Sequence, residues 1–76
     1  MKKYENKSGR SGVVSYMIYE DYVEVRFNTG VYYKYSRLSV GDFYLTEIKK
    51  LAEKGQGLNA FLTTKCRGLH SDKGWY

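Results

Sequence analysis

Residues 13–36 read VVSYMIYEDYVEVRFNTGVYYKYS, and the placement of the turns within this stretch decides the fold. Val14, Tyr16 and Ile18 alternate with Ser15, Met17 and Tyr19; beyond Glu20-Asp21, Val23, Val25 and Phe27 alternate with Tyr22, Glu24 and Arg26. A period of two marks strands with one buried face. The connection Asn28-Thr29-Gly30 fixes the register. A two-residue loop would set Val25 opposite Lys34 and mix apolar with charged side chains. A three-residue loop with Gly30 in the left-handed conformation pairs Phe27 with Val31, Val25 with Tyr33 and Val23 with Tyr35, and brings Glu24 to Lys34 on the other face. A two-residue turn at Glu20-Asp21 then pairs Ile18 with Val23, Tyr16 with Val25 and Val14 with Phe27, so three strands share one apolar face.

That face needs a cover, and the chain downstream supplies it. Ser39 with Asp42 forms a capping-box-like helix start, Leu38 and Phe43 occupy the positions of a hydrophobic staple, and Gly55 stands where a helix ends. Tyr44, Leu45, Ile48, Leu51 and Ala52 form the apolar stripe between them, opposite Asp42, Thr46, Lys49 and Glu53. Gly41 within the first turn costs about 1 kcal/mol relative to alanine. A second short helix is expected from Asn59 to Arg67, with Leu58, Phe61, Leu62 and Cys66 inward and Gly68 as its stop. The expected fold is α+β, a three-stranded antiparallel β-meander covered on one face by two C-terminal helices. Residues 1–12 read as a flexible basic arm, 13–70 as the single domain and 71–76 as a polar tail ending in Trp75 and Tyr76.

Composition bounds the function. With 76 residues there is room for one core, and a domain of this size buries only about 60% of the surface its unfolded chain exposes. One cysteine excludes an intramolecular disulfide framework, and no apolar run approaches a membrane span, so a cytoplasmic protein is expected, with no membrane partner. Thirteen Lys and Arg against eight Asp and Glu leave a net +5, which favours polyanionic partners such as RNA.

The order strand, strand, Gly30 to Tyr35 (GVYYKY), helix, glycine-bearing turn and Cys66-Arg67-Gly68 resembles the KTSC domain. That family is named for its occurrence at the C-terminus of some lysyl-tRNA synthetases and is also found as free-standing small bacterial or phage proteins. The likeness runs from about Ser11 to His70, with the Tyr-x-Tyr signature on Tyr33 and Tyr35 and the Arg-Gly pair on Arg67 and Gly68. Two positions depart from it: Thr63 stands where relatives commonly have asparagine, and Cys66 where they have an aliphatic residue. The resemblance implies an RNA-binding role.

Several groups of residues are candidates for contact. Tyr33, Tyr35 and Gly30 read as structural, because the register puts both tyrosines on the face of Val23, Val25 and Phe27, under the first helix. The open face carries Tyr22, Arg26, Tyr32 and Lys34, aromatic rings interleaved with cations as single-stranded nucleic acid uses them. The same face would equally serve a homodimer or another protein partner, or remain solvated, and Glu24 neutralising Lys34 tilts it towards protein contact. Lys54, Lys65 and Arg67 form a cationic helix edge, and Gly55, Gln56, Gly57 and Asn59 form a turn whose amides could meet a nucleotide-like anion. Cys66 and His70 are four apart but separated by Gly68, so an inert buried thiol is the reading. With one Cys and one His and no nucleophile-base set or carboxylate pair in evidence, the sequence predicts no enzyme, no metal and no cofactor.

Overall fold

The computed structural model describes residues 1–76. Its strands are β1 (Lys2–Lys3), β2 (Val13–Ile18), β3 (Tyr22–Phe27), β4 (Val31–Ser36) and β5 (Asp72–Trp75), and its helices α1 (Arg37–Val40), α2 (Asp42–Lys54) and α3 (Leu58–Thr64). The strands form one antiparallel sheet in the order β1-β2-β3-β4-β5. The class is the α+β expected, but the sheet has five strands rather than three and three helices rather than two. The arm and the tail each supply an edge.

The central register follows from the turns. Val23 pairs with Tyr35, Val25 with Tyr33 and Glu24 with Lys34, while Gly30 at φ 89° closes the three-residue loop by donating its N–H to Phe27 O at 3.0 Å. Ile18 pairs with Val23 and Tyr16 with Val25, as read. Val13, not Val14, lies opposite Phe27. A bulge at Val14 absorbs one residue and reverses the alternation beyond it, so Val13 is buried while Val14 is 39% exposed and its carbonyl accepts from Tyr4 N.

The helical segment also differs from its sequence reading. Ser36 caps α1 through a reciprocal box in which Ser36 Oγ accepts from Ser39 N at 3.2 Å and Ser39 Oγ accepts from Ser36 N at 2.9 Å. Gly41 at φ 87° then separates α1 from α2. The glycine that would cost stability inside one helix instead joins two. Leu38 and Phe43 are exposed and form no staple. The stripe on α2 is as expected: Leu45, Ile48 and Ala52 are buried against Val23, Val25, Tyr16 and Tyr35, with Tyr44 and Leu51 at the margin. Gly55 ends α2 in the left-handed conformation. The second expected helix starts one residue earlier than read and stops at Thr64 rather than Arg67, with Leu58, Leu62 and Cys66 buried.

The N-terminal segment is stitched to the body. Tyr4 is 2% exposed within the core, and its hydroxyl accepts from Leu58 N at 3.3 Å. Gly57, ahead of α3, has no side chain with which to cap it, so the phenol satisfies one of the helix's orphan donors. Lys7 N donates to Gly55 O at 2.8 Å, and the Asn6 carboxamide exchanges hydrogen bonds with the Ser11 backbone, closing the loop between them.

Candidate ligand cleft between β4 and α3

α2 covers the middle of the sheet, and α3, seven residues long, leaves the outer half of β4 open on the same side. The result is a cleft of about 480 Å³, within the range of small-ligand sites. Phe27, Val31, Tyr33 and Tyr35 form its floor; Asn59, Leu62 and Thr63 of α3 form one wall; Arg67, Gly68 and His70 close its end, with Thr29 at the hairpin tip.

Its chemistry is aromatic and cationic. Tyr33 is the hub: Phe27 meets it edge-on at 5.6 Å between ring centroids and 88°, and His70 at 4.8 Å and 61°. Lys73, its cross-strand partner on β5, holds its ammonium 5.7 Å from the Tyr33 centroid. Arg67 is exposed and forms no ion pair. No carboxylate lines the cleft. Such a surface accepts a flat ring carrying negative charge, by stacking or edge contact with the rings and by charge-assisted hydrogen bonds to the guanidinium.

Tyr35 lies deeper, 5% exposed. Burial pushes its phenol far above the usual tyrosine range, helped by the neighbouring Cys66 and Tyr33. Burial, with the Glu53 and Glu5 carboxylates, raises Tyr16 in the same sense. A raised folded-state value means that the unfolded chain ionises first, so this stability is complete below about pH 10 and declines as pH rises beyond it. The urea midpoint is expected to fall above pH 10, and less steeply in Tyr35→Phe; an equal slope in the two proteins would contradict the assignment.

The sequence-derived candidates do not converge on one site. Arg67 and Asn59 reach the cleft, and so do Tyr33 and Tyr35, which also hold the sheet to the helices. Tyr22, Arg26, Tyr32 and Lys34 lie on the opposite face. There Glu24 engages Arg26 at 3.0 Å rather than Lys34, the Tyr76 ring lies 4.7 Å from the Arg26 guanidinium, and Lys34 sits between Tyr22 and Tyr32 with Asp72 at 4.0 Å. The cations of that face thus have acidic partners, and Tyr19 stacks on Tyr22 at 4.4 Å. Lys54 and Lys65 are exposed at the C-terminal ends of α2 and α3 and do not line the cleft.

Gly55, Gln56, Gly57 and Asn59 form the α2–α3 turn, but a β-carbon at Gly55 would stand 2.5 Å from Glu5 Cβ and 3.0 Å from its carboxylate. An acidic side chain therefore occupies the Gly55 side of the turn. Gln56, Gly57 and Asn59 border a shallow depression with Ser8, Arg10 and Ser11 from the N-terminal segment. Cys66 is fully buried with its thiol pushed up by burial, and His70 faces Tyr33. No three His, Cys, Asp or Glu side chains cluster as metal ligands would, and no helix is long and apolar enough to cross a membrane.

Phe27, Thr63, His70 and Lys73 were not singled out by the sequence reading as contacts. Phe27 carried the signal of a core residue, whereas Lys73 acquires its place only through the pairing of β5 with β4. No family model, no curated protein and no solved structure matches this chain.

Proposed function

We propose that this chain is a non-enzymatic binding module for single-stranded nucleic acid, RNA in the first instance, and that the cleft between β4 and α3 seats one nucleotide. The observation that carries the reading is convergence. Tyr33, Tyr35, Arg67 and Gly68, the residues behind the KTSC resemblance, are separated in sequence yet line one cleft. Aromatic walls receive an unstacked base without demanding a particular sequence. Arg67 takes the adjoining phosphate, and the net +5 draws the strand in.

Fluorescence anisotropy of a labelled oligoribonucleotide at two salt concentrations tests the proposal. With Arg67 and Lys73 each neutralising one phosphate, log affinity against log salt should have a slope of about −1.4. Absence of binding at low salt would refute it. An oligodeoxyribonucleotide of the same sequence shows whether the 2′-hydroxyl contributes.

The paired charges of the opposite face favour a second reading, in which that face meets protein, including another copy of this chain. Light scattering that shows a dimer, abolished by Tyr22→Ala, would support this use; a monomer at all concentrations excludes the homodimer.

A further inference from the structure

β5 continues the cleft beyond its mouth. Strand alternation places Trp75 on the same side of the sheet as Lys73 and Tyr33, opposite Val31 of the cleft floor. Its indole stands beside Gly30, where an added β-carbon would lie 3.9 Å from Cε3. Trp75 is 75% exposed, yet its backbone is not loose: the strand is paired, and Tyr76 N donates to Gly30 O at 2.9 Å. A large aromatic ring is therefore held in solvent on a fixed strand, two residues from a lysine. Two residues of strand span roughly 7 Å.

We infer that Trp75 is a second stacking position, so that the ligand is a strand of at least two nucleotides, one base in the cleft and its neighbour on the indole. This rests on the nucleic-acid reading of the cleft. The arrangement fits that occupant. Tyr33 and Trp75 share one side of the sheet, and Lys73 lies on that side two residues from Trp75. Its ammonium, 5.7 Å from the Tyr33 centroid, is in position to meet the linking phosphate, and no carboxylate lines the cleft. Stacking on a tryptophan face tolerates any base, so length, not sequence, is the property selected.

The chain has a single tryptophan, which makes its intrinsic fluorescence a direct report from this position. Uridine 5′-monophosphate and the uridylate dinucleotide and tetranucleotide are titrated against the full chain. Quenching is expected with the dinucleotide and longer strands, with an affinity gain of about tenfold over the mononucleotide. Trp75→Ala should remove that gain, and Trp75→Phe, which keeps a ring, should restore most of it; far-UV circular dichroism checks that both variants fold.

If the tetranucleotide binds by anisotropy but leaves the fluorescence unchanged, and Trp75→Ala binds as tightly as the parent, this inference fails while the cleft reading stands. If no oligonucleotide binds at all, both fail. Loss of self-association in Trp75→Ala with unaltered oligonucleotide affinity would also overturn it, assigning the indole to a second copy of the chain.

Discussion

Replacing Tyr4 by alanine should lower stability by about 3–5 kcal/mol, the cost of truncating a large core aromatic. Tyr4 precedes the first of the three central strands by nine positions and lies in a segment whose composition reads as a flexible arm, for which the expected change would be near zero. The structure puts its ring in the core, 2% exposed, among Val13, Tyr16 and Leu58. For 76 residues the total stability is roughly 4–11 kcal/mol, so the loss takes up a large part of it.

Tyr4→Phe separates packing from capping. It keeps the ring and removes the hydroxyl that accepts from Leu58 N, leaving a buried donor unpaired at about 1–3 kcal/mol. Urea denaturation of the three proteins measures both effects. Midpoints unchanged in Tyr4→Ala would mean that the segment is not part of the fold.

Reversing the charge at Arg67 is expected to have the largest effect on binding. Arg67→Glu should weaken oligoribonucleotide affinity thirtyfold or more, about 2 kcal/mol, and reduce the magnitude of the salt slope by about 0.7. Because the side chain is exposed and makes no ion pair, stability should stay within about 0.5 kcal/mol of the parent. Lys65→Glu is the matched control. It makes the same change in net charge two residues away but outside the cleft lining, so it removes no contact in the cleft, and salt screening of an exposed charge should hold its effect to about threefold. Equal losses in the two variants would indicate attraction by net charge alone.

What the sequence could disclose was local. The pairings Val25 with Tyr33 and Glu24 with Lys34 follow from alternation and one glycine-bearing turn, and the stripe Leu45, Ile48 and Ala52 from helical periodicity. The bulge was hidden because Val13 and Val14 are both apolar. What separates them is polar contact, the tie from Tyr4 to the Val14 carbonyl and that from Val13 N to Ser11 Oγ, which alternation does not encode. The edge strands were hidden for a related reason. Lys2–Lys3 is too short to show any alternation, and Asp72–Trp75 contains Gly74, where a β-carbon would lie 2.6 Å from the Tyr32 ring. Their conformation comes from a partner strand far away in the sequence.

The cleft was illegible in a deeper sense. Register places Tyr33 and Tyr35 on the helix side of the sheet, and Tyr35 is buried there, but whether a helix covers the whole of β4 depends on how far α3 extends. Its end at Thr64 leaves Tyr33 accessible, while Arg67 and His70 close the end of the opening. Neither propensity nor periodicity carries that information.

The central claim is that the strand enters between β4 and α3 and not on the opposite sheet face. Two-dimensional amide NMR of the labelled chain, titrated with a short oligoribonucleotide, tests it most directly. The account predicts shifts concentrated at Thr29, Asn59, Thr63, Arg67, Gly68 and His70, which surround the cleft, with little change at Met17, Tyr19 and Tyr22. Shifts concentrated at Tyr22, Glu24, Arg26 and Lys34, with the cleft residues unmoved, would contradict it.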